Sequence, residues 1–230
     1  IARSVDRLLC FFPFEPPLFN RFGACHAEHV GHPLLDLISP ADPVATPAAR
    51  HALGLDPAAD VLLLAPGSRA REVRLLLPIL HRAAELALPH LPGAQVAVSR
   101  VPELPLDLYR AVTHFPLVEG RWRDVCRAAH LSVIASGTAT LEAALIGLPH
   151  LIAYRFDPLT AAVARQVVRT PHAGLPNLVL NRRACPELMQ EQCTPERIAA
   201  RIIRLWRGSA RAAQQRDLAL VRARLGGAGA

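Results

Sequence analysis

Between the apolar run Leu131–Ala135 and the helically spaced Leu141, Leu145 and Leu148, the chain reads Ser136-Gly137-Thr138. A short apolar run, a turn of small residues and a helical period predict a strand that hands over to a helix. Amide groups in the first turn of that helix have no partner inside it, and the helix dipole adds positive potential. Such a turn is a ready site for a phosphate group. Pro66-Gly67-Ser68-Arg69 repeats the arrangement after the apolar run Val61–Ala65. Two such turns in one chain point to a nucleotide ligand.

The rest of the chain fits this frame. Strands are predicted at Val61–Ala65, Gln95–Ser99, Pro116–Val118, Leu131–Ala135 and His150–Tyr154. Helices are predicted between them, at Glu72–Ala87, Leu106–Val112, Arg121–Ala128 and Thr138–Ile146. Continuous apolar strands with helical crossovers predict an α/β fold: a Rossmann-like parallel sheet flanked by helices, with ligands beyond the carboxyl ends of the strands. Upstream, Val5–Phe12 reads as a helix end followed by a buried strand, with a short helix from Pro13 to Phe22 and a strand at Ala27–Val30. Residues 39–47 form a Pro-rich linker. At the other end, Thr194, Pro195 and Glu196 predict a capped helix start, with Ile198, Ile202 and Leu205 on one face and Arg197, Arg201 and Arg204 on another. Gly208 breaks that helix, and a last helix with a frayed tail occupies residues 208–230.

Composition excludes several functions. Net charge is +7, and all 26 basic residues are Arg. Without Lys there is neither Schiff-base chemistry nor a Walker-A phosphate loop. The five Cys form no CxxC pair, so neither a zinc site nor a disulfide framework is expected. His26 and His29 would face opposite sides of a strand, which argues against a metal site built from Cys25, His26, His29 and His32. No apolar run is long enough to span a bilayer. Aromatic residues make up only 5%, too few to interleave the arginines for nucleic-acid binding. The basic stripe on the late helices reads as a solvated face, although the charge excess also suits an anionic membrane surface. The opening residues, Ile1–Ser4, read as mid-helix, so the chain is expected to be part of a longer protein.

Each candidate residue has two readings. Gly67 allows close backbone approach, Ser68 can donate to a phosphate or cap a helix, and Arg69 offers a donor fork that fits a diphosphate. Equally, this is an ordinary strand-to-helix turn with a solvated Arg. Ser136, Gly137 and Thr138 can converge on an anion, and Glu142, one turn on, can accept both hydroxyls of a ribose. The alternative is a surface carboxylate beside a small-residue turn. Asn177 can cap a helix and aim its amide at a ligand, or simply cap it.

Taken in order, FFPFE (Phe11–Glu15), VGHPLLD (Val30–Asp36), APGSRAREV (Ala65–Val73), ASGTATLEAAL (Ala135–Leu145), GLPNLVLNR (Gly174–Arg182) and PELMQE (Pro186–Glu191) resemble the lipid-A-disaccharide synthase family. The resemblance implies the carboxyl-terminal half of a GT-B fold. Residues 1–38 would be the end of the amino-terminal domain and the hinge, and residues 48–207 the UDP-sugar domain. It implies transfer from UDP-2,3-diacylglucosamine to 2,3-diacylglucosamine 1-phosphate (lipid X), inverting, with no metal or other cofactor. By position it assigns a catalytic role to Arg69 and donor binding to Gly67, Ser68, Ser136, Gly137, Thr138, Glu142, Asn177 and Gln190. The general base would be an Asp of the amino-terminal domain, outside this chain, which would leave the chain inactive alone. A cytoplasmic, peripheral place on the inner membrane and a homodimer exchanging carboxyl-terminal elements are also implied. Open alternatives are another GT-B UDP-GlcNAc transferase, an epimerase, or a nucleotide-sugar-binding module without activity.

Overall fold

The computed structural model describes residues 5–21, 26–39, 46–155 and 172–227. Ile1–Ser4, Cys25 and most of the Pro-rich linker, for which sequence expectations were stated, lie outside the described residues.

A short parallel pair opens the chain: β1 (Arg7–Cys10) and β2 (His26–His29), joined through α1 (Glu15–Asn20). The expectation of a buried strand at Val5–Phe12 is corrected here. Only Cys10 of β1 is buried, while Leu9 and Phe11 are exposed, because within the described residues this sheet has only two strands, with α1 packed against β2. Next come the one-turn α2 (Leu34–Leu37) and α3 (Pro47–Ala52). Thr46 caps α3 by accepting from the Ala49 amide at 3.2 Å.

The main body is a six-stranded, wholly parallel sheet. Its strands are β3 (Asp60–Ala65), β4 (Ala94–Ser99), β5 (Leu117–Val118), β6 (Leu131–Ala135), β7 (His150–Tyr154) and β8 (Glu187–Met189). Their spatial order is β5-β4-β3-β6-β7-β8. The chain runs outward from β3 to β5, returns to place β6 beside β3, and then runs outward the other way. The strand order therefore reverses between β3 and β6, the place where such sheets open a crevice at their carboxyl edge. Both small-residue turns follow these two strands. Strand β8 was not expected from the sequence, since three residues leave no measurable period.

Along β3, Leu62 and Leu64 face one side and Val61, Leu63 and Ala65 the other, as the two-residue strand period requires. The first side is covered by α4 (Ala70–Ala87) and α9 (Pro195–Trp206). The second is covered by α6 (Trp122–Ala128), α7 (Thr138–Ile146), α8 (Leu175–Leu180) and α10 (Ser209–Leu225). The predicted Thr194 cap of α9 forms, accepting from the Arg197 amide at 3.4 Å, and Ile198, Ile202 and Leu205 are its buried face. The predicted helix Leu106–Val112 shortens to the single turn α5 (Asp107–Arg110). Tyr109 of that turn is fully buried, and its hydroxyl accepts from the Val101 amide at 3.3 Å. All four described cysteines are buried.

Helix α10 is tied to the sheet by a buried polar cluster. The Gln214 side chain accepts from the His150 amide at 3.1 Å and donates to the His150 carbonyl at 2.8 Å. His150 Nδ1 lies 2.9 Å from the Leu148 carbonyl and Nε2 lies 3.4 Å from Cys185 Sγ, which fits a neutral ring protonated on Nδ1. Burial lowers the His150 pKa to about 4, against the opposing pull of the Leu148 bond. The unfolded chain binds this proton near pH 6.5, so stability is present above that pH and is lost as pH falls toward 4. Urea unfolding between about pH 7.5 and about pH 5 should show a loss of about 2 kcal/mol from this group. His150→Gln should lack that increment, and an unchanged pH slope in the variant would assign it elsewhere.

Candidate functional site

The two turns differ in what they leave available. At the first, Gly67 has φ +115°, a backbone shape that favours glycine, and a Cβ there would overlap Glu72 Oε2. Glu72 Oε2 accepts from the Ser68 amide at 3.0 Å and the Arg69 amide at 3.3 Å. The residue at the helix cap is Arg69, not Ser68. The carboxylate thus satisfies the amides that the sequence assigned to a phosphate, as one half of a capping box does. What this turn offers a ligand is the Arg69 guanidinium. It is held by Glu72 Oε1 at 3.0 Å while its side chain stays 79% exposed. Tyr154, at the end of β7, lies beside the same carboxylate. Burial first, and then the Glu72 charge, raise its hydroxyl pKa.

The second turn is open. Gly137 is the cap residue of α7 and brings no side chain to its amides. Thr138 is exposed, and Thr140 turns inward to donate to the Gly137 carbonyl at 2.7 Å. Glu142, one turn further, accepts from Arg123 Nε at 3.1 Å, and Arg123 also donates to the Leu37 carbonyl at 2.9 Å. A carboxylate has about four acceptor positions. The Arg123 contact is therefore compatible with a ligand diol.

Gly67, Ser68, Arg69, Ser136, Gly137, Thr138 and Glu142 line one cavity of about 470 Å³. The sequence reading missed three further groups on its wall: Trp122, Arg100 and Glu72 in its clamping role. The half-buried Trp122 donates through its indole N–H to the Ala139 carbonyl at 3.3 Å, which fixes the ring beside the turn. Arg100 pairs with Glu119 and donates to the Leu104 carbonyl at 3.0 Å. No local motif marks Trp122 or Arg100, because each reaches the cavity from a different crossover. A larger cleft, about 770 Å³, is lined by Arg183, Arg197, Arg201 and Arg204 and contains no residue of either turn.

Asn177 and Gln190 do not line the cavity of the two turns. Asn177 is not a cap either. Helix α8 starts at Leu175 with Gly174 as its cap residue, which places Asn177 inside the first turn. The fully buried Asn177 donates to the Cys185 carbonyl and to Glu187 Oε1, both at 2.7 Å, and accepts from the Cys185 amide at 2.8 Å. Glu187 Oε1 in turn accepts from the Gly174 amide at 2.9 Å, and Glu187 Oε2 from the Ala173 amide at 3.2 Å. The Ala173 carbonyl accepts from Ser136 Oγ at 3.3 Å. Asn177 therefore reaches the open turn through Glu187 and Ala173. Gly174 is needed because a Cβ there would overlap Ile152 Cδ1 and lie 3.1 Å from Glu187 Oε1. Gln190, at the carboxyl end of β8, has φ +49°, and its buried Nε2 has no partner among the described residues.

A parallel sheet flanked by helices, with a crevice at its strand-order reversal, is the Rossmann-like architecture of one half of a GT-B fold, here the carboxyl-terminal half. The chain is similar in structure to the calicheamicin glycosyltransferase CalG4, with a TM-score of 0.56 and 19% identity over 97% of this chain and 50% of that one. It is also similar to WaaG, a glycosyltransferase involved in lipopolysaccharide biosynthesis, with a TM-score of 0.53 and 14% identity over 94% of this chain and 57% of that one. Sequence narrows the class. The lipid-A-disaccharide synthetase family matches residues 1–227. The chain is 40% identical to the lipid-A-disaccharide synthase of Myxococcus xanthus, over all of this chain and 61% of that protein. It is 38% identical to that of Neisseria meningitidis serogroup B, over 87% of this chain and 53% of that protein. The chain belongs to the lipid-A-disaccharide synthase family, and it spans between half and two thirds of the length of these relatives.

Proposed function

We propose that this chain is the donor half of a lipid-A-disaccharide synthase, transferring a 2,3-diacylglucosaminyl group from its UDP derivative to lipid X. The observation that carries this reading is the single cavity between β3 and β6 that unites Arg69, the uncapped start of α7 and Glu142. In the proposed step the acceptor 6-hydroxyl attacks the anomeric carbon, the bond from that carbon to the diphosphate oxygen breaks, and UDP departs with inversion. Arg69 and the amides after Gly137 stabilise the charge gathering on the departing diphosphate, with no metal called upon. Glu142 holds the ribose. The proton of the acceptor hydroxyl passes to a carboxylate of the amino-terminal domain. In this reading Asn177 is a positioning residue, and Gln190 supports the donor from the β7–β8 side.

The family membership of the chain and its open α7 turn support the substrate class. The exposed Arg197, Arg201 and Arg204 support peripheral contact with an anionic membrane surface. Among the described residues no helix is long and apolar enough to cross a membrane.

The test is a product assay with UDP-2,3-diacylglucosamine and lipid X on the full-length protein, with titration of UDP into the present chain alongside. Disaccharide 1-phosphate from the full-length protein supports the reading. Turnover of UDP-GlcNAc alone would favour a different transferase or an epimerase, and UDP binding with no transfer a binding module. Glu142→Ala should weaken UDP binding about tenfold or more, since hydrogen bonds to a charged group contribute about 1.5–3 kcal/mol net. Equal calorimetric affinity in both forms would rule out the ribose contact.

A further inference from the structure

Far from the donor cavity, α4 carries His81 and Glu85 one turn apart, so both project from the same helix face. His81 is about 18 Å along the helix from Arg69, taking 1.5 Å per residue. It therefore lies toward the amino edge of the sheet. The segment entering β5 arrives at that edge and brings His114 against them. The ligand-capable atoms of His81, Glu85 and His114 all lie within 4.8 Å of one another.

The geometry points to a zinc site formed by His81, Glu85 and His114, which would brace α4 against the segment leading into β5. His81 Nε2 and Glu85 Oε1 are 3.5 Å apart. Two ligands of a tetrahedral zinc ion bound at about 2.0–2.1 Å stand about 3.4 Å from each other. The remaining ring nitrogen is already engaged, since His81 Nδ1 lies 3.1 Å from Thr113 Oγ1. That contact orients the ring and leaves Nε2 as the ligand nitrogen, the usual outer-shell arrangement for a metal-bound histidine. Thr113 is itself buried, and its oxygen accepts from the Phe115 amide at 3.1 Å, which sets the backbone that presents His114. The His114 ring meets the His81 ring edge to face, with centroids 5.0 Å apart. Two imidazoles and one carboxylate select zinc over magnesium or calcium. Arg82 competes for the carboxylate, donating to Glu85 Oε2 at 3.1 Å, but the other oxygen faces His81. Three protein ligands leave a fourth position for water.

The experiment uses the chain stripped with EDTA and titrated with zinc chloride against a chromophoric chelator, with melting temperature as a second readout. One zinc per chain is expected. His81→Ala and His114→Ala should each weaken binding at least tenfold, and zinc should raise the melting temperature of the wild type but not of His114→Ala. His114 is exposed, so that variant keeps its fold, which circular dichroism verifies. His29→Ala, in the other histidine-rich segment, should bind as the wild type does. Absence of binding, or binding lost in His29→Ala and retained in His81→Ala and His114→Ala, would overturn the site.

Discussion

Arg69→Ala in the full-length protein is expected to lower kcat by about 10²–10³, the usual effect of removing one donor aimed at transition-state charge. The loss should appear in kcat more than in KM, because a further negative charge develops on the diphosphate as its bond breaks. Stability should hardly change. The Arg69 side chain is 79% exposed and its pair with Glu72 lies at the surface, where such pairs contribute about 0–1 kcal/mol. Glu72 keeps its two backbone bonds in the variant, so the turn retains its shape. Steady-state kinetics and a melting curve on the same preparation make the test. Turnover equal to wild type would remove Arg69 from the reaction, and a large fall in melting temperature would show that the loss is one of folding.

Asn177→Ala should do the reverse, destabilising first and weakening ligand binding as a consequence. It removes three hydrogen bonds from a fully buried side chain and leaves the Cys185 amide, the Cys185 carbonyl and one Glu187 acceptor position without that partner. Unsatisfied buried groups cost about 1–3 kcal/mol each, so a loss of about 3–5 kcal/mol is expected. For a chain of this size that is a fall in melting temperature of about 6–20 °C. Asn177→Asp is nearly the same shape and should be at least as damaging, because it sets a second carboxylate against Glu187 and removes the donor between them. UDP binding measured below the melting transition should weaken as well, through the Ala173 carbonyl that holds Ser136. A direct ligand contact predicts the opposite pattern, weaker binding with the melting temperature intact. That result would sink the positioning role.

The difference between these two residues was not legible in the sequence. Arg69 and Asn177 each lie two or three residues after a glycine that follows or precedes a regular element, and both fall on the family pattern. Only the fold exposes one and buries the other. The two phosphate-type turns likewise look alike as text. Glu72 was visible three residues after Arg69, yet its occupation of the Ser68 and Arg69 amides depends on the left-handed backbone at Gly67.

The sequence by itself determined the alternation of strand and helix, the placing of both turns at strand ends, and the family. These are carried by local periodicity and short motifs, which depend on neighbours a few residues apart. It also placed the α9 cap and its buried face, since capping and helical spacing are local chemistry. Tertiary structure alone decided that β6 returns beside β3, because strand order depends on pairing between residues some seventy positions apart. That return puts Arg69, Ser136, Gly137, Thr138 and Glu142 around one cavity, adds Trp122 from another crossover, and leaves Asn177 behind the turn as its support. The pairing of β5 with β4 likewise sets His114 against His81 and Glu85.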